Sequence, residues 1–416
     1  MINTAIDMDA RARAILQGND RGGYTVPTAG LYPYQWNWDS AFAAWGFATF
    51  DVDRAWEELE TLFSGQWANG MVPHILFHKD DPGYFPGPDV WASGTTPPSS
   101  GISQPPVAAT MVRLVLAADP SRAERARALF PKLMASHTWF MRDRVRDGMA
   151  CITHPWESGR DNCPDWDIGM AGVDGSNVGE YTRRDTGHVD ASMRPTMEEY
   201  DRYVAILEFG RSVNWNANAI MADGPFLMAD PGTHFILMRA HADLAALAAE
   251  LGEDAGPLDT WHDELRKGAD GLWNPEIGAY DARNMRDGAF AGVLGTGAFT
   301  AYVAGVARPE LDAELMRSWD AVKYGLPSSD PEGPLFDARR YWRGPMWPFL
   351  NALIALGLKD SGRADLAERL RKETESAIRS GGFNEYFDPT TGEPCGGTDF
   401  TWTAAIWLTW AGREKD

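Results

Sequence analysis

Apolar residues recur every three or four positions along most of the chain, the spacing of helices with one buried face. In residues 53–63 the stripe is Ala55, Trp56, Leu59, Leu62 and Phe63, and charged residues fill much of the remainder. The same spacing predicts helices over 7–17, 41–50, 105–118, 122–146, 195–213, 233–251, 257–272, 298–306, 309–322, 364–380 and 400–410, and an apolar helix ending at Leu358. Asp39 or Ser40 would cap the 41–50 helix, and Thr196 with Glu199 has the spacing of a capping box. About twelve helices in antiparallel-looking pairs, few strands and no charged or Ser/Gly linker predict one all-α domain over residues 1–416. Loops after alternate helices carry the aromatic and acidic residues, which suits six inner helices closed into a barrel with a pocket at one face. No repeat of about 30 to 50 residues supports the competing α-solenoid.

Three irregular excursions interrupt the helices, at 66–102, 169–189 and 323–340. The first contains six prolines, and so long an unpatterned stretch in a compact domain is usually a functional loop. It is expected to act as a lid, and the pattern gives no direction for its His74, His78 and Tyr84. A fourth interruption, residues 154–167, is the densest in chemistry. It places Glu157, Asp161, Asp165, Asp167, Arg160, Trp156 and Trp166 in fourteen positions, and Pro155, Gly159 and Pro164 prevent a regular helix or interior strand. Carboxylates beside indole rings suit a sugar site, where one ring face stacks and a carboxylic acid protonates the glycosidic oxygen. The plainer reading is a surface turn with hydrated carboxylates and tryptophans wedged between helices.

Composition narrows the choice. A formal charge of −21 argues against nucleic acid or an anionic membrane as partner, because both demand a cationic surface. It also means that an anionic substrate would need a local arginine. Eighteen tryptophans lean towards carbohydrate, whose apolar ring faces stack on indole. The three cysteines, Cys151, Cys163 and Cys395, are widely spaced and suggest neither a disulfide framework nor a metal site; no metal or cofactor is expected. With no signal-peptide pattern and no long apolar run, a cytoplasmic protein acting on a small-molecule substrate is expected.

Four motifs in order, Tyr-Gln-Trp-Asn-Trp-Asp-Ser from Tyr34, Trp-Glu-Ser-Gly-Arg-Asp-Asn from Trp156, Tyr-Trp-Arg-Gly-Pro-Met-Trp-Pro from Tyr341 and Phe-Asn-Glu-Tyr-Phe-Asp-Pro from Phe383, resemble glycoside hydrolase family 63. The likeness runs from about residue 19 to 410 and is strongest to the compact bacterial members that hydrolyse mannosylglycerate and glucosylglycerate. It implies an (α/α)6 barrel with long loops over one face, and inverting hydrolysis of an α-glycoside. It further implies Asp161 as general acid and Glu385 as general base. Tyr32, Trp36, Trp38 and Asp39 fall at the wall of the sugar site, and Gln104, Trp156, Tyr341, Trp342 and Trp347 at further pocket positions. Trp38 and Trp347 could equally be core. Arg194 and Tyr200 match the positions that hold the glycerate carboxylate. Two residues depart from the pattern: Cys163 replaces an expected serine, and Cys395 stands in the last loop where no thiol is expected.

Other activities fit less well. A trehalase-like or glucosylglycerol-type α-glucosidase would use the same barrel. A sugar epimerase would need histidines as proton shuttles, and of the eight histidines only His154 lies in a strong motif. A non-catalytic sugar-binding protein would have no use for paired carboxylates.

Overall fold

The computed structural model describes residues 7–413. Its helices form two concentric rings. The inner ring runs Asn37–Phe47, Ala108–Ala118, Pro231–Leu251, the short pair Thr296–Phe299 and Thr300–Ala304, Pro348–Asp360, and Thr401–Ile406 continued by the π-turn Trp407–Ala411. Each inner helix packs on the next, and the last returns to the first. Between them in sequence come the outer helices Met8–Asn19, Val52–Ser64, Ala123–Asp143, Leu258–Gly268, Pro309–Asp320 and Ala364–Gly381. This strict alternation is the expected (α/α)6 barrel.

Sequence pattern separates the two rings. In Pro348–Asp360 nearly every side chain as far as Leu358 is buried, because neighbours surround the helix. Ala364–Gly381 has one buried stripe, Ala367, Leu370, Thr374, Ala377 and Ile378, and ties its outer face with pairs such as Arg369–Glu373 at 2.8 Å. No helix among the described residues is long and apolar enough to cross a membrane.

Several expectations are corrected. The first inner helix begins at Asn37, so Asp39 lies in its first turn and is not its cap. The helix expected over 298–306 is two short contiguous pieces, Thr296–Phe299 and the tighter turn Thr300–Ala304, and it ends at Gly305, whose φ is +68°. Met197–Ser212 does carry the predicted capping box, but it stands outside the ring. Short antiparallel strips, too brief to show alternation in sequence, clip the loops together. Gln35–Trp36 pairs with Ile75–Leu76, and Met149–Ile152 with Met228–Ala229.

A second apolar cluster lies over the ring's loop face. Tyr34, Trp36, Ile75, Phe77, Trp91, Ile102, Leu207, Trp215 and Ile220 compose it. Much of the 66–102 excursion is therefore fixed structure: His74 N donates to Ile102 O at 2.8 Å and Phe77 N to Pro98 O at 2.9 Å. Its tip, about residues 79–98, is the more exposed part, and of it Tyr84, Phe85 and Pro86 border the pocket while Trp91 stays in the buried cluster.

Candidate active site

The pocket opens where the inner helices begin. Its lining comes from the chain leading into five of the six inner helices: the approaches to Asn37–Phe47, Ala108–Ala118, Pro231–Leu251, Pro348–Asp360 and Thr401–Ile406. Of the thirteen residues expected from sequence, twelve line it: Tyr32, Trp36, Trp38, Asp39, Gln104, Trp156, Asp161, Arg194, Tyr200, Tyr341, Trp342 and Glu385. The thirteenth, Trp347, does not. Its ring stacks behind Trp342 at 3.8 Å and 2° and also meets Tyr386 at 4.6 Å, so it buttresses the wall from the core side. The extended stretch before the helix start at Pro348, where Met346 is bridged to Phe387, directs it inward. Trp38 both packs on Phe349 at 4.7 Å and faces the pocket.

The four carboxylates of residues 154–167 have separate fates. Glu157 accepts from Arg144 at 2.8 Å and from Thr153 N at 2.7 Å. Asp165 accepts from the Cys163 thiol at 2.6 Å, and its neighbour Arg160 is paired with Asp230 at 2.8 Å. Asp167 holds Arg343 at 2.5 Å. Asp161 alone of the four faces the pocket, and among the described residues it has no ion-pair partner. Burial, reinforced by the charges of Glu385 and Asp185 and opposed by Arg194, pushes its carboxyl up to about 7. The turn that presents it depends on Gly159, whose φ is +65° and where a Cβ would lie 2.3 Å from the Trp38 indole.

Glu385 is held quite differently. Arg194 Nη2 donates to its Oε2 at 2.7 Å, Gly397 N to Oε2 at 2.8 Å and Tyr32 Oη to Oε1 at 3.1 Å. Arg194 also donates to Tyr32 Oη at 2.9 Å, and its guanidinium lies 4.5 Å from the Tyr341 ring centre. Sequence placed Arg194 only opposite a substrate carboxylate; in the fold it borders the pocket with its charge already matched by Glu385.

Asp39 is buried at the pocket wall with no ion pair among the described residues, and burial with the charges of Glu385 and Glu58 raises its carboxyl well above the usual range. Gln104 accepts from Trp38 N at 3.2 Å. Tyr200 donates to Phe85 O at 3.4 Å, linking the loop tip to the Met197–Ser212 helix.

Sequence reasoning did not assign His74, Tyr84, Phe85, Arg184, Asp185, Phe400 and Trp402 to the pocket, although all line it. Arg184 is ion-paired with Asp81, joining the 169–189 excursion to the 79–98 tip. The signal available was the pairing of aromatic and charged residues in these two excursions. His78 points elsewhere, bonded to Gln35 Oε1 at 2.7 Å. His74 is bonded to Ser100 Oγ at 2.8 Å, and burial holds its imidazole well below the usual range.

Comparison with known proteins fits this geometry. The family model described as "Mannosylglycerate hydrolase MGH1-like glycoside hydrolase domain" matches residues 32–403. A mannosylglycerate hydrolase from Thermus thermophilus is 44% identical over 96% of this chain and 99% of its own length. A glucosylglycerate hydrolase from Mycolicibacterium hassiacum is 35% identical over 98% of each. The crystal structure of a GH63 mannosylglycerate hydrolase, also from Thermus thermophilus and in complex with Tris and D-glycerate, superposes with a TM-score of 0.93 at 43% identity, covering 97% of this chain and 99% of that one. The chain belongs to the MGH1-like glycoside hydrolase family and is a glycosidase.

Proposed function

We propose that the protein hydrolyses an α-glycoside of glycerate, mannosylglycerate or glucosylglycerate, with inversion, using Asp161 as acid and Glu385 as base. One observation carries the assignment. Two carboxyl groups from separate loops border one aromatic pocket, one without an ion-pair partner among the described residues and pushed up to about 7, the other a carboxylate fixed by Arg194 and Gly397 N.

Asp161 gives its proton to the glycosidic oxygen as the bond from that oxygen to the anomeric carbon breaks. A water attacks the anomeric carbon from the opposite face and gives its proton to Glu385, so sugar of inverted configuration and glycerate leave. Trp36, Trp38 and Trp342 stack on the sugar, and Asp39 accepts its hydroxyls. Arg194 and Tyr32 orient Glu385, and Arg194 with Tyr200 meets the glycerate carboxylate. Three free buried cysteines fit a reducing, cytoplasmic compartment.

The test is a panel of mannosylglycerate, glucosylglycerate, glucosylglycerol and trehalose, assayed for released sugar, with the first anomer followed by NMR. The glycerate-containing compounds should be turned over fastest, with β-sugar appearing first. Asp161→Asn and Glu385→Gln should each lower kcat by about 10²-fold or more. Release of α-sugar first, or turnover of Asp161→Asn near that of the unaltered enzyme, would overturn the mechanism.

A further inference from the structure

Asp161 is the one residue common to two cavities. The first is the sugar pocket. The second, of about 230 Å³, lies between the acid loop and the Met197–Ser212 helix, lined by Asn162, Cys163, Asp167, Arg202, Tyr203 and Arg343 among others. A site needs only about 10 to 15 Å³ of such space to hold one water, so this cavity has room for several. Its lining is largely polar and incompletely paired: Asn162 Oδ1 and Arg343 Nε are buried with no hydrogen-bond partner among the described residues, and the two residues are only 2% and 8% exposed. Buried polar atoms of this kind are normally satisfied by ordered water. Asp167, whose side chain is 44% exposed, and the partly exposed Arg202 bring the cavity to the surface. Tyr203 lines it beside Asp161, donating its hydroxyl to the Asp161 carbonyl at 2.5 Å.

We infer that this rear cavity is a water-filled route by which solvent returns a proton to Asp161 after each turnover. The inference rests on Asp161 being the general acid. Inverting hydrolysis leaves that acid as a carboxylate and the base protonated. To reset, Asp161 must gain one proton from a hydronium or buffer acid, and Glu385 must lose one to water; no other bond changes. While sugar and glycerate still fill the front pocket, the rear cavity gives solvent separate access to the residue that needs the proton. The waters take their places on Asn162 Oδ1 and Arg343 Nε.

Met170 lines the cavity and takes no part in the sugar pocket, so Met170→Phe should fill part of it. Arg202→Trp, at the partly exposed mouth, should obstruct entry without touching the core. Both variants would be compared with the unaltered enzyme on mannosylglycerate or glucosylglycerate, whichever it turns over, in single-turnover and steady-state kinetics. The single-turnover rate should stay within about twofold while kcat falls about fivefold or more, and imidazole buffer, a small proton donor, should restore part of kcat. Unchanged kcat in both folded variants would overturn the route. So would an equal fall in single-turnover rate and kcat with no response to buffer, which would mean a structural effect on the chemical step. If Met170→Phe does not fold, Arg202→Trp decides alone. Failure of the acid assignment itself appears separately, as an undiminished single-turnover rate in Asp161→Asn.

Discussion

The inner helix Pro348–Asp360 and the loop of residues 154–167 bury their side chains almost equally well, by opposite means. The helix buries Phe349, Leu350, Ala352, Leu353, Ile354 and Leu358, all apolar and each at most 2% exposed. The loop buries Glu157, Arg160, Asn162 and Asp165 to within 4%. A buried charge is tolerated only when paired, and Glu157 with Arg144 and Arg160 with Asp230 meet that condition. Against this background Asp161 is the exception. It lies in the same loop, faces the pocket and has no ion-pair partner among the described residues. Ring and loop layer thus divide the work: the ring stabilises mainly through apolar area, contributing Asp39 to the pocket wall, and the loop layer uses paired charges to hold Asp161 unpaired where chemistry can use it.

Substitutions should separate the two regions. Leu350→Ala in the ring should cost about 2 to 5 kcal/mol of stability through the cavity it leaves, while kcat per folded molecule stays near its original value. Chemical denaturation paired with activity on the remaining folded fraction measures both. If kcat falls as steeply as stability, ring and loop layer are not separable in this way.

Gly396→Ala should do the reverse. Gly396 has φ +72°, and a Cβ there would lie 2.4 Å from Glu385 Oε2, so the base must shift. A displacement near 1 Å can cost about 10²-fold in rate. We expect kcat to fall by about that factor with the far-ultraviolet circular dichroism spectrum unchanged. Full activity in this variant would mean that Glu385 need not be fixed by its surroundings.

The smallest effect concerns pH. Because burial raises the Asp161 carboxyl to about 7, the folded protein holds that proton more tightly than the unfolded chain does. Its contribution to stability is therefore greatest below the unfolded value near 4 and is lost as pH rises towards about 7. Asp161→Asn removes that loss. The variant should be nearly inactive yet gain in Tm relative to the unaltered protein on going from pH 5 to pH 8. An identical Tm difference at both pH values would show that the carboxyl does not titrate in this window.

Sequence already carried much of the site. Twelve of the thirteen expected residues line one pocket: most belong to motifs on the approach to an inner helix, while Trp156, Asp161, Arg194 and Tyr200 come from the long connection between Ala123–Asp143 and Pro231–Leu251 and were given by the family resemblance. For Trp347 the core alternative holds: two tryptophans five residues apart in the same motif look alike in sequence, and only the fold decides that Trp342 faces the pocket and Trp347 lies behind it. His74, Tyr84 and Arg184 were not assigned because excursions without periodicity give no direction to a side chain.

The helical repeat of apolar residues determined the barrel, since a ring of amphipathic and all-apolar helices has few ways to bury both kinds. Composition and motif determined which loops hold chemistry. Tertiary structure alone decided which charges are paired. Arg160 meets Asp230 across 70 residues, Arg194 meets Glu385 across 191, and Asp161 meets no cation among the described residues. Pairing depends on distance in space and on the exclusion of water, and neither is a property of a residue's position along the chain.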